Sequence, residues 1–258
     1  MISIIIPVKN GSKYIKGAIE SIRSQTEKNV EIVVIDDAST DDTQTILSEI
    51  QKTDPLFKVI HNEKSIGPGA SRHIGILASS GELIAFLDDD DRWISPQKLS
   101  KQSTYLQDNP ECVIVGSAKN SFTSEDGSPY PIRRDTQPKS DEDIRKEMLW
   151  RNPFITSSVM LRKDAYLKVG GFTDMYLAED YELWMRLGKI GKMANIEGCD
   201  IQYTVRASNA SNTRRQEMNK IVLDLTKKYR GDYPSPLYYV FLLKAYMRVW
   251  LFNLKQIF

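Results

Sequence analysis

Cysteine is scarce in this chain. Only Cys112 and Cys199 occur in 258 residues, far apart and without the spacing of a metal site, which favours a reducing compartment. An excess of charge of either sign is also missing: 35 Lys and Arg face 34 Asp and Glu, for a net charge of +1. Nothing global therefore points to nucleic acid as a partner. No uninterrupted apolar run is long enough to span a bilayer. No charged leader with a cleavage site precedes the first strand pattern, so no signal peptide is expected. Internal repeats and low-complexity tracts are absent. No G-x-G-x-x-G follows the first apolar run, which argues against a nicotinamide-dependent dehydrogenase.

What is there is an alternation. Apolar runs at Ile2–Val8, Glu31–Ile35, Phe57–His61 and Leu83–Leu87 read as buried strands. Between them, helical spacing of Ile15, Ala18, Ile19 and Ile22 predicts a helix over 13–26. Thr43, Ile46, Leu47 and Ile50 predict a second, and Ala70, Ile74, Leu77 and Ala78 a third. Strands alternating with helices imply a parallel sheet with right-handed crossovers. Further on, Ser95-Pro96 opens a helix, Cys112–Val115 reads as a strand, and 117–139 as a long polar loop. Ser140 and Asp143 form a capping box for a helix through Leu149. Phe154–Leu161 reads as a strand, Gly170-Gly171-Phe172 as a tight turn and Glu179–Ile190 as a helix. The length suits one large α/β domain, with or without an appendage.

The chain is organised around the fourth strand, which ends in Asp88-Asp89-Asp90-Asp91. In open α/β sheets the ligand crevice lies at the carboxyl ends of the strands. Four acids there repel one another unless a cation is present, and Mg²⁺ or Mn²⁺ takes oxygen ligands from carboxylates together with substrate phosphates. A solvated acidic turn is the alternative.

Several pieces together resemble family 2 glycosyltransferases of the GT-A fold, over roughly residues 1–215. They are Ser3–Asn10, Ile35–Asp41, Gly67–Gly75, Phe86–Asp91, Gly170-Gly171-Phe172 and Glu179-Asp180. The resemblance implies a Rossmann-like, mostly parallel central sheet flanked by helices. It implies a nucleotide-binding half over about 1–116, an acceptor half over about 117–215, and a helical C-terminal extension over 216–258. It makes Asp37 the acid that reads a nucleotide base, usually uracil, with Pro7 and Val8 beside it, and Arg72 a basic residue near the nucleotide. Asp88 and Asp90 match the Asp-X-Asp motif that holds Mn²⁺ or Mg²⁺, with Asp88 and Asp89 also facing the nucleotide. The fourfold run leaves a register shifted to Asp89 and Asp91 open. Asp180 matches the general base and Glu179 its partner. A mere helix start is the alternative, because acids favour that end of the dipole. Trp184 is a candidate acceptor-site residue or a packing residue. Two departures stand out: His73 replaces a common Asn, and Arg206 replaces a common His, leaving Arg206 as a candidate lid residue that cannot ligate a metal.

The implied activity is inverting transfer of a sugar from a nucleotide diphosphate, UDP-linked by expectation, to a hydroxyl of a glycan or lipid-linked acceptor in surface polysaccharide assembly. The rivals are a non-catalytic scaffold of the same fold and a nucleotidyltransferase. The first should lack an acid at the metal or base position, and both are present. The second should carry a Gly-rich basic loop after the first strand, where this chain has Pro7-Val8-Lys9-Asn10-Gly11. The tail, Leu237–Phe258, is dense in aromatic and aliphatic residues, with Lys244, Arg248 and Lys255 near one stripe. It suits a helix lying on an anionic membrane surface or one docked on the domain or on a second subunit of a homo-oligomer. The expected location is cytoplasmic, at the inner membrane face if the tail binds lipid.

Overall fold

The computed structural model describes residues 1–131, 136–206, 213–233, 235–236 and 238–254, and the side chains of 245 and 248–254 are left out of the description. The first half follows the alternation: β1 (Ile2–Val8), α1 (Ile15–Arg23), β2 (Val30–Asp36), α2 (Thr43–Thr53), β3 (Phe57–His61), α3 (Pro68–Ala78) and β4 (Leu83–Phe86). After the acidic run come β5 (Arg92–Trp93), α4 (Lys98–Asp108), β6 (Cys112–Ser117), β7 (Ser121–Ser124) and α5 (Asp141–Glu147). They are followed by β8 (Met160–Arg162), α6 (Lys163–Lys168), α7 (Glu179–Leu187), β9 (Lys192–Ile196) and β10 (Ile201–Val205). Two helices close the chain, α8 (Arg215–Lys228) and α9 (Tyr238–Leu254).

Seven strands form the central sheet in the order β3-β2-β1-β4-β8-β6-β9. The pairings β1 with β2 and β4, β2 with β3, and β6 with β9 are parallel; β8 alone runs against both its neighbours. The expected mostly parallel sheet is therefore observed. Period-two alternation sends consecutive residues of one strand to opposite faces. Ile5, Val33, Ile35, Ile84 and Phe86 join one core cluster, while Ile4, Ile6, Val34, Ala85 and Leu87 join the other. Helix α1 buries Ile15, Ala18, Ile19 and Ile22 in that second cluster. Helix α3 lies so close to the sheet that a Cβ on Gly75 would overlap Ile35.

A second sheet has three strands, β5-β10-β7, with β10 antiparallel to β5 and parallel to β7. It corrects one expectation. The 117–139 stretch is not all loop, because Ser121–Ser124 pairs with Gln202–Val205. The partner lies some eighty residues along the chain, and a polar edge strand has no apolar run to announce it. The expected strand over 154–161 is also shortened. Thr156–Ser158 is a 3-10 turn, and only Met160–Arg162 joins the sheet. The C-terminal helices are not detached from the domain: Leu225, Tyr229, Tyr233 and Tyr238 are buried in the same cluster as Trp184. Among the described residues, no helix is long and apolar enough to cross a membrane.

Candidate active site

A cleft of about 680 Å³ opens at the carboxyl ends of β1, β2 and β4. Sequence dictates its position, because each parallel strand must there hand the chain over to a turn. Asn10, Ala38 and Ala178 adopt left-handed backbone, with φ of 54°, 59° and 56°. All three sit where the chain enters or leaves this region, and such backbone in a non-glycine residue stores strain.

Pro7 and Val8 line the cleft at the end of β1. Asp37 follows β2. Its Oδ1 accepts from the Asn62 amide (2.8 Å) and the Ile66 backbone N–H (2.9 Å); its Oδ2 accepts from the Ser65 hydroxyl (2.7 Å) and the Gly67 N–H (3.0 Å). Burial pushes this carboxyl up, but the four donors outweigh it and hold Asp37 below the usual carboxylate range. Asp37 therefore shapes the 62–67 loop as well as facing the cleft.

The acidic run divides by partner. Asp88 Oδ1 accepts from Arg72 Nη2 at 2.6 Å, and Asp90 Oδ2 pairs with Arg206 Nε at 2.6 Å. Asp91 does not line the cleft and serves as a brace. Its Oδ2 accepts from the Ser157 hydroxyl (2.5 Å) and its Oδ1 from the Thr204 N–H (2.8 Å), tying β10 and the 3-10 turn to the run. The shifted register that would have used Asp91 is thus disfavoured. Asp89 is 8% exposed, and its Oδ2 has no hydrogen-bond partner among the described residues. Burial first, then the charges of Asp90 and Asp88, push the Asp89 carboxyl up to about 8 against the opposing pull of Arg206. Asp90 is pushed up to about 6 by burial, with Arg206 opposing and Asp88 adding.

These shifts test the fit of a cation. Among the described residues no three acidic, cysteine or histidine side chains converge to cage one. Yet crowded, proton-retaining carboxylates with an orphaned oxygen are hard oxygen donors short of positive charge. They suit Mg²⁺ or Mn²⁺ that draws its remaining ligands from phosphate and water.

Arg72 is buried, 5% exposed, and does more than the sequence reading assigned to it. Besides Asp88 it donates to Glu179 Oε1 at 3.1 Å, so one guanidinium joins the acidic run to α7. Burial first, then the Asp180 charge, push Glu179 up to about 7 although Arg72 opposes them. Asp180 points its Oδ2 at the Thr156 hydroxyl (2.7 Å) and the Asn152 amide (3.1 Å). Asn152 lies in no periodic segment, and Thr156 falls inside the stretch read as a strand, where nothing announces the 3-10 turn that aims it at Asp180. All three residues line the cleft. Arg206 lines it too, its guanidinium 5.2 Å from the Tyr14 ring.

Trp184 is corrected to the packing alternative. It is 0% exposed, lies against Phe86 and Phe154, and does not reach the cleft. A tryptophan on the inward face of α7 meets the sheet, not solvent. His73 is likewise structural: its Nδ1 is 2.6 Å from the Tyr166 hydroxyl, which accepts from the Phe172 N–H.

Comparison with known proteins places the family and the fold. Residues 3–170 match the family described as glycosyl transferase family 2. An uncharacterized glycosyltransferase of Haemophilus influenzae is 32% identical over 227 residues, covering 85% of this chain and 70% of that protein. The amylovoran biosynthesis glycosyltransferase AmsE of Erwinia amylovora is 28% identical, covering 93% of this chain and 91% of its own length. Among solved structures, S. aureus TarS 1-349 in complex with UDP-GlcNAc superposes with a TM-score of 0.71 at 19% identity, over 96% of this chain and 72% of that one. The mannosyltransferase PcManGT of Pyrobaculum calidifontis, in complex with GDP-Man and Mn²⁺, superposes with a TM-score of 0.70 at 17% identity, over 96% of this chain and 69% of that one. The sheet order, the flanking helices and the family match lead to one conclusion: the chain belongs to glycosyl transferase family 2 and has the GT-A fold.

Proposed function

We propose that the protein is an inverting glycosyltransferase that moves a sugar from a nucleotide diphosphate, with UDP as the favoured carrier, to a hydroxyl of a glycan or lipid-linked acceptor. One observation carries this reading. The base-side acid Asp37, the crowded acids Asp88 to Asp90 and the Glu179-Asp180 pair all line one cleft. Asp88 and Asp90 would hold Mg²⁺ or Mn²⁺, which when bound offsets charge on the departing diphosphate. Asp37, Pro7 and Val8 bind the base. Asp180, oriented by Thr156 and Asn152, removes the acceptor proton as the hydroxyl attacks opposite the leaving group, and the anomeric configuration inverts. Glu179 stays in the Arg72 contact and orients the site rather than acting as base. Arg206, paired with Asp90 at the cleft, offers its guanidinium to the diphosphate as well, as a lid residue would.

The relatives support the wider setting, since AmsE is named for amylovoran biosynthesis. The tail supports a peripheral membrane contact. On α9, Tyr239, Leu243 and Tyr246 are 67%, 61% and 48% exposed along one face, with the exposed Lys244 close by. A second copy of the chain is the competing occupant. The side chain of Arg248, and Lys255 entirely, lie outside the described residues.

Calorimetry of UDP binding tests the site. Affinity should be clearly higher in Mn²⁺ than in EDTA, and Asp90→Asn should remove the difference and most donor turnover. Equal affinity in both buffers, unchanged by Asp90→Asn, would refute the metal-assisted reading.

A further inference from the structure

A second cavity, of about 610 Å³, lies beside the small sheet β5-β10-β7. Its wall includes Ile94 just after β5, Asp200 just before β10, Asn120 just before β7, Phe122 within β7 and Tyr130 beyond the β7 turn. Phe122 lines the catalytic cleft as well, so one aromatic ring borders both spaces.

The polar groups of this wall are underused. Asn120 is 2% exposed, and among the described residues neither its Nδ2 nor its Oδ1 has a hydrogen-bond partner. The Oδ1 of Asp200 is buried without a partner as well. Native proteins keep few such groups, because a buried donor or acceptor left unmade is costly. The cleft reaction uses neither residue.

We propose that this cavity is a saccharide subsite for the acceptor glycan, which leaves the catalytic cleft across Phe122 and sets its next sugars between Tyr130 and the Asn120–Asp200 wall. The proposal rests on the transferase reading for the direction of the chain, but the ligand class follows from the wall itself. An amide offers donors and an acceptor, and a carboxylate offers acceptors. A hydroxyl-rich ligand supplies both the donors and the acceptors that these groups lack. Phe122, Tyr130 and Ile94 offer flat apolar surface to the C–H face of a sugar ring, and pockets of this size with a few placed polar groups suit small organic ligands. Among the described residues of this wall, Lys119 is the one cation and shares it with the carboxylate of Asp200, so an uncharged hydroxyl-rich ligand suits it better than a phosphate-bearing one. The volume far exceeds the share of one water molecule, about 30 Å³.

The test uses the full chain on a printed array of uncharged oligosaccharides of two to eight sugars, with UDP affinity measured on the same preparations. The parent should bind members of the array. Tyr130 is 42% exposed, so Tyr130→Ala should fold normally, lose at least fivefold in array signal and keep its UDP affinity. Asn120→Leu removes an orphaned amide, so it should abolish array binding without lowering Tm. No array binding by a parent that binds UDP would overturn the subsite, as would an array signal unchanged by Tyr130→Ala. Array binding sensitive to Tyr130 in a protein that does not bind UDP would uphold the subsite and remove the donor chemistry proposed above.

Discussion

The two sides of the cleft hold their acids by different means. On the nucleotide side, Asp37 is fixed by two backbone N–H groups and two side chains from the 62–67 loop, all within the β1–α3 region. On the acceptor side, the Asp180 Oδ2 is held by side chains alone, Thr156 and Asn152, and Glu179 is held by Arg72 from the opposite side of the cleft. A backbone-built cradle survives most single substitutions, because every residue type brings the same N–H. A side-chain network fails with the loss of one member. The Asp37 end of the cleft is therefore the tolerant part, whereas Asp88, Asp90 and the Glu179-Asp180 pair each depend on single side chains.

That contrast can be broken most severely at Asp180. Asp180→Asn keeps shape and removes basicity. Transfer should fall by roughly 10²–10⁴-fold, the usual scale for a lost general base, while UDP binding to the nucleotide side stays parental. Transfer and binding measured on one preparation decide it: near-parental transfer removes Asp180 as base, and joint loss makes it a nucleotide-site residue. Arg72 comes next, because it joins the two sides. Arg72→Leu leaves Asp88 and Glu179 without their shared cation in a buried setting, and breaking such a pair costs about 3–5 kcal/mol. A denaturant midpoint unchanged by Arg72→Leu would mean that the sides are not coupled through it.

The same contrast explains what could be read in advance. The sheet from β3 to β4 announces itself through apolar runs separated by amphipathic helices, and its site residues follow directly after strand ends. Asp37, Asp88 and Asp90 were legible as cleft residues for that reason. The other side is assembled by pairings that leave no local trace. The β7–β10 ladder joins polar segments, and β8 enters the sheet against its neighbours with only three residues. Thr156 and Asn152 become partners of Asp180 only once the turn before β8 is folded against α7. Arg72 was legible as a cleft cation, but its second contact, to Glu179, depends on a packing that no spacing within α3 encodes. Trp184 shows the reverse: α7 is buried on most sides, so an aromatic residue near the motif belonged to the core.

The smallest effect separates the two sides by pH. Asp89 and Asp90 on the nucleotide side are pushed up to about 8 and about 6, and Glu179 on the acceptor side to about 7, by burial first and neighbouring carboxylates second. Below pH 4 the folded and unfolded chains both carry these protons, and the contribution to stability is full. As pH rises, the unfolded chain releases them first while the folded chain still holds them, so folding loses free energy until the folded values are passed. In EDTA, Tm should therefore decline by a few degrees between about pH 5 and pH 8.5. On the metal-assisted reading proposed above, Mn²⁺ should offset the decline at the upper end, since a cation held by the ionised run would stabilise the folded state. Asn in place of Asp and Gln in place of Glu keep shape without titrating. Asp89→Asn should flatten the decline more than Glu179→Gln, because the Asp89 carboxyl is raised further and has no partner at Oδ2. Thermal scans of the three proteins across that range decide the matter. A flat parental profile removes the buried acids as a source of strain, and a larger effect from Glu179→Gln moves that strain from the nucleotide side to the acceptor side.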